Sequence, residues 1–150
     1  MNAYVNSLVL AVRLLSHDAA PNMQIPLEVT FHNAGPKSIS LLDTFTREET
    51  LFFFRVQLIR EDGTLVPTRG GGKVDLDPSM IRYRVLGPRG NFSTALDLAD
   101  FAGTAEAVPP GRYTVTVIYS NQYGKDCFKG SVVSPAVKID VPRRGTRNSR

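Results

Sequence analysis

There is no tryptophan in this chain, and there is a single cysteine, Cys127. One cysteine excludes an internal disulfide, and a chain of 150 residues needs none to build a core. Histidine is nearly missing as well: His17 and His32 are the two present. A zinc or catalytic centre draws on several convergent ligands or partners, and two histidines far from the cysteine do not supply them. No apolar run approaches the roughly 20 residues that a helical membrane span needs. The opening stretch "MNAYVNSLVLAVRLL" has no Lys or Arg before Arg13, which then breaks its apolar run. That is the wrong order for a secretory signal, so the chain as it stands reads as cytoplasmic, and as secreted or periplasmic if a signal was trimmed.

Basic residues number 18 and acidic residues 14. Arg143, Arg144, Arg147 and Arg150 all lie in the last eight residues, which hold no acid. Without those four the remainder carries 14 of each sign. The sequence therefore divides into a formally neutral domain, residues 1–142, and a basic tail, 143–150, expected to be disordered because nothing in it is apolar. Specific nucleic-acid binding is not expected; weak attachment of the tail to an anionic surface is.

What the chain has is period two. Residues 7–15 set Leu8, Leu10, Val12 and Leu14 on one face, and 24–32 set Ile25, Leu27, Val29 and Phe31 on one face. "HNAGPKS" turns the chain before a short "SISLL" run. Residues 51–60 read as the most apolar strand, and Asp62-Gly63 directly after it signals a hairpin. Further strands are expected at "VDLD", 80–86, 112–120 and 134–141, with "ALDLADF" as a strand end plus a helical turn. No helix falls at a crossover position, so the fold class is all-β, an antiparallel sandwich of seven to nine strands.

"VPPGRYTVTVIYSN" adds a tyrosine two residues after a glycine, at the mouth of a strand. Such a tyrosine buries its ring at the turn between sheets while its hydroxyl satisfies the arch backbone. With "IPLEVTFHNAGPKSISL", "VLGPRGNFSTALDL" and "VSPAVKIDV", this resembles bacterial immunoglobulin-like and fibronectin type III-like sandwich modules over most of residues 24–141. The antibody Cys…Trp…Cys pattern is absent. The pattern is also similar to bacterial intracellular proteinase inhibitors and to chagasin-like inhibitors. Gly70-Gly71-Gly72 matches part of one chagasin loop, while the Asn-Pro-Thr-Thr-Gly and Arg-Pro-Trp/Phe loops are missing.

The resemblance implies a non-enzymatic module that presents loops or an edge strand to a protein partner or a second copy of itself. The alternatives are a proteinase inhibitor presenting "PTRGGGKVD", or a carbohydrate-binding accessory domain with Tyr119 and Tyr123 in place of tryptophans. No cofactor is expected. Asp75 and Asp77, with Asp97 and Asp100, have oxygen-ligand spacing but no Asp-x-Asp-x-Asp-Gly loop. "RGGGK" lacks the Gly-Lys-Ser/Thr ending of a phosphate loop. Lys125 and Lys129 flank Cys127 and would activate it if it were exposed. Alternation places Leu51, Phe53 and Ile59 on the mixed face of their strand, too apolar for open solvent. The candidate interaction residues are therefore Leu51, Phe53 and Ile59, with Phe53 as anchor, plus the loop Gly70, Gly71 and Gly72. The competing expectation is that "LLDTF", through Leu42 and Phe45, covers that face.

Overall fold

Alternating burial runs through the strands that alternate in sequence. A computed structural model describes residues 7–15, 25–43, 47–70 and 81–141, with the side chains of 47–49 and 105 left aside. Strand β1 (Leu8–Leu14) pairs with β2 (Pro26–Asn33), which pairs with β7 (Asn91–Asp97), all antiparallel. A second antiparallel sheet has the order β10 (Val137–Val141), β8 (Gly111–Asn121), β4 (Phe54–Arg60), β5 (Leu65–Val66). A short β9 (Gly130–Val133) extends that sheet along the upper half of β8. A separate ribbon joins β3 (Ile39–Leu42) to β6 (Tyr83–Leu86). The described residues thus hold ten strands, mostly β and antiparallel, one more than the upper expectation.

The two larger sheets share one core. Phe31 of β2 meets Tyr119 of β8 edge-on with ring centroids 5.0 Å apart, and lies 6.1 Å from Phe54 of β4. These contacts cross between the sheets, so the inward faces of β2, β4 and β8 interlock. Tyr113 behaves as expected. Its ring is buried, and its hydroxyl donates to the carbonyl of Pro109 in the preceding arch.

The Asp62-Gly63 hairpin forms between β4 and β5. Gly63 N–H donates to Arg60 C=O, Arg60 N–H donates to Thr64 C=O, and Gly63 has φ +92°. That is a three-residue loop, a type I turn closed by a left-handed glycine. "ALDLADF" divides as expected: β7 ends at Asp97 and α2 (Leu98–Ala102) begins. Asp97 Oδ1 caps that helix at Ala99 N and also holds Ile25 N, so it serves backbone at two places.

Two elements differ from the sequence reading. Leu51, Phe52 and Phe53 belong to a helix, α1 (Arg47–Phe53), and the strand starts only at Phe54. A short apolar run does not by itself distinguish helix from strand, and "REET" ahead of it favours a helix. Residues 130–133, assigned to no strand from the sequence, form β9, where Ser131 and Val132 pair with Ser120 and Tyr119.

Candidate interaction surface

Phe53, the expected anchor, is 1% exposed. Its ring packs edge-on against Phe52 at 4.8 Å and faces Tyr123 at 6.4 Å, with Tyr119 beneath. The error lies in parity. Extending strand alternation back through α1 sends Phe53 outward, whereas the helix-to-strand junction sends both Phe53 and Phe54 into the core. Leu51 is half-buried in the same helix, so it does not share a strand face with Ile59. Of the segment "LLDTF", expected to cover that face, Leu42 belongs to the same buried core as Phe53, and Phe45 lies outside the described residues.

Gly70 has a structural role. With φ +144°, it brings backbone against β4, where a Cβ would stand 2.7 Å from the Phe54 carbonyl oxygen. Ahead of it, Thr68 Oγ1 donates to Val56 C=O and Arg69 N–H donates to Phe101 C=O. Residues 67–70 are therefore stitched along the edge of β4 beyond β5, which shields that edge. The rest of "PTRGGGKVD" lies outside the described residues. Gly71, Gly72, Asp75, Asp77, His17 and the tail 143–150 lie outside the described residues.

Ile59 keeps an outward place. The outer face of the five-stranded sheet is organised in rows. Leu65, Ile59, Thr114 and Lys138 lie side by side in register, and so do Arg55, Ile118 and Val133. Leu65 and Val133 are each 59% exposed, with Ile59 and Ile118 half-buried between them. At its lower corner a groove of about 290 Å³ opens between Arg60, Arg112 and Lys138. Arg112 is already engaged there, 3.3 Å from Asp140 and 3.9 Å from Glu61. The outer face of the other sheet carries cross-strand polar pairs beside an exposed Val9. Arg13 pairs with Glu28 at 2.7 Å, Thr30 with Ser93 at 2.8 Å, and His32 with Asn91.

The loop end beyond Asn33 and Asn121 is held by two buried asparagines, which the sequence reading missed as a pair. Asn33 ends β2 with no exposed surface. Its Nδ2 donates to the carbonyls of Lys37, Leu86 and Gly87 at 2.7–3.1 Å, and its Oδ1 accepts from Gly35 N. Its backbone adds bonds to Gly90 and Arg89. Asn121 ends β8 in the same manner: Nδ2 donates to the carbonyls of Tyr123 and Phe128, and Oδ1 accepts from Tyr123 N.

Cys127 packs under that second loop. Burial pushes its thiol pKa up, and the lowering by Lys129 and by the Asn121 hydrogen bond does not offset it. Its Sγ donates to Tyr123 C=O. Tyr119 is wholly buried, and burial raises its hydroxyl pKa far above the usual tyrosine value, with Cys127 and Asp43 adding to the shift. A sugar cannot stack on it, and Tyr123 is half-buried against Phe52. The chain matches no protein-family model, and no curated protein resembles it in sequence.

Proposed function

We propose that the chain is a non-enzymatic protein-binding module on an immunoglobulin-like β-sandwich, and that it meets its partner with the outer face of the five-stranded sheet. The strand orders support the fold. β1-β2-β7 opposite β10-β8-β4-β5 corresponds to A-B-E opposite G-F-C-C′ in immunoglobulin domains. Tyr113 then falls at the start of the F-equivalent strand, with its hydroxyl on backbone four residues upstream, where a tyrosine corner belongs.

The contrast between the two outer faces carries the binding reading. One is laid with cross-strand polar pairs and exposes one large apolar strand residue, Val9, at 42%, while the other leaves Leu65 and Val133 open above Ile59 and Ile118, with Gln57, Thr114 and Thr116 between them. Scattered exposed apolar residues need no explanation, but registered rows of them on one sheet suit a partner. The test is Leu65→Glu with Val133→Glu, against Val9→Glu on the opposite sheet. Sedimentation velocity of the purified chain reads self-association, and affinity capture reads a foreign partner. The double variant loses whichever association the wild type shows, and Val9→Glu keeps it. Equal association by all three proteins refutes the reading.

A further inference from the structure

The charge balance of the domain hides a segregation by position. At the loop end, Lys37, Arg82, Arg84, Arg89, Lys125 and Lys129 are all exposed. The described carboxylates there are Asp43, which pairs with Arg84 at 3.1 Å, and the exposed Asp126. At the other end, acids and bases interleave around Arg112.

The cationic loops are fastened to each other. Arg89 N–H donates to Asn33 C=O, and Asn33 Nδ2 donates to Lys37 C=O, so one buried residue carries both. Lys125 N–H donates to the Tyr83 hydroxyl, and Phe128 N–H donates to Ser40 C=O, which ties the last loop to the β3–β6 ribbon. In the middle of that ribbon, Tyr83 and Val85 share one face of β6 and are 44% and 66% exposed. Arg84 lies on the other face, 4.2 Å over the Phe92 ring.

Backbone conformation marks the same end. Arg89 (φ +66°) and Asp126 (φ +54°) are the two non-glycine residues with positive φ among the described residues. Arg89 follows Pro88 in a turn closed by Gly90 N–H to Gly87 C=O, at the position where glycine fits best. An arginine held there, in solvent, with Gly90 next to it, is a local choice against conformational preference.

From these features we infer that the loop end docks an acidic segment of another protein, its carboxylates meeting Lys37, Arg89 and Lys125 and an apolar side chain resting on Val85 and Tyr83. The positive excess fixes the sign of the partner. Val85 favours protein over nucleic acid, because an exposed aliphatic side chain is matched by another side chain and not by phosphate. Tyr83 lies on the face of β6 opposite Arg84, so ring and guanidinium do not combine into one stacking platform for bases. The inference does not depend on the sheet face proposed above, and Leu65 and Val133 stay untouched in its test.

Fluorescence anisotropy would follow a labelled peptide of glutamates interrupted by leucines, then poly-L-glutamate, then single-stranded poly-dT. The leucine-bearing peptide binds tightest, with an affinity that falls as salt rises. Lys37→Glu with Arg89→Glu weakens it tenfold or more, and Val85→Ser weakens it several-fold. Arg60→Glu with Lys138→Glu, at the other end, leaves it unchanged. Arg89→Gly raises the melting temperature yet weakens binding, which separates the side chain's role from folding. The inference is overturned if no peptide binds, if both charge-reversal pairs act alike, or if Arg89→Gly leaves binding unaltered. Tighter binding of poly-dT than of the peptide also overturns it, in favour of nucleic acid.

Discussion

Replacing Asn33 by alanine tests whether one buried amide holds the loop end together. The Nδ2 group has two hydrogens and three carbonyls within 3.1 Å, so it satisfies about two of them at a time. Alanine removes those bonds and the acceptor for Gly35 N, leaving a part-buried donor unpaired. At about 1 kcal/mol for each of three lost bonds, plus 1–3 kcal/mol for a group left unpaired, the loss is about 4–6 kcal/mol. That is a third or more of the stability of a typical small domain. Asn33→Asp sharpens the test at almost constant volume. It keeps the acceptor but turns a carboxylate toward three carbonyl oxygens in a buried site. Burial and those oxygens raise the folded-state pKa of the new carboxyl above its unfolded value of about 3.9. Stability is then retained below about pH 4 and lost as pH rises through the folded pKa. Urea melts at pH 7 and pH 4.5, each beside wild type, should show the aspartate variant recovering part of its deficit at the lower pH. An alanine deficit below about 1 kcal/mol, or an aspartate deficit equal at both pH values, would refute the reasoning.

Tyr113→Phe leaves the Pro109 carbonyl without its donor and should cost about 1–2 kcal/mol by chemical denaturation; no change would remove the corner from the stability argument. Gly70→Ala meets the Phe54 carbonyl at 2.7 Å with φ +144° and should lower the melting temperature by several degrees without altering partner capture. Cys127, buried with a raised pKa, should react with a thiol reagent at pH 8 far more slowly folded than in urea; equal rates would contradict its burial. Tyr119 is held protonated by burial, so the fold should lose stability above about pH 10, where an unfolded tyrosine ionises, and Tyr119→Phe should blunt that loss in an alkaline titration.

The sequence made legible whatever rests on local periodicity. β1, β2, β8 and the part of β4 from Phe54 onward bury the residues that alternation selects. Turn chemistry was legible for the same reason, since Asp62-Gly63 needs only its neighbours. α1 was not, because "LFFF" taken alone satisfies both periods, and in the fold Phe53 packs into an aromatic pocket made by Tyr119 and Tyr123. β9 was not, because its pairing depends on how far β8 runs past the end of β10.

The misplaced interaction site follows from the same division. Parity is reliable inside an element and carries no information across a junction, so the inference that made Phe53 an anchor failed one residue before β4 began. Asn33 shows the limit from the other side. Its place in a turn is local and legible, but its partners Leu86 and Gly87 lie 53 and 54 residues away, and nothing near Asn33 announces them. The basic end was hidden by averaging. A sum over residues 1–142 cancels to neutrality, and only the fold separates Lys37, Arg89 and Lys125 from Glu61, Asp62 and Asp140. Surface charge in a two-sheet fold is therefore to be read by end and by face. Consecutive loops leave a strand at opposite ends, so charges in successive loops are often far apart in space. In this chain the β2, β6 and β8 termini gather cations from three stretches of sequence that no window joins.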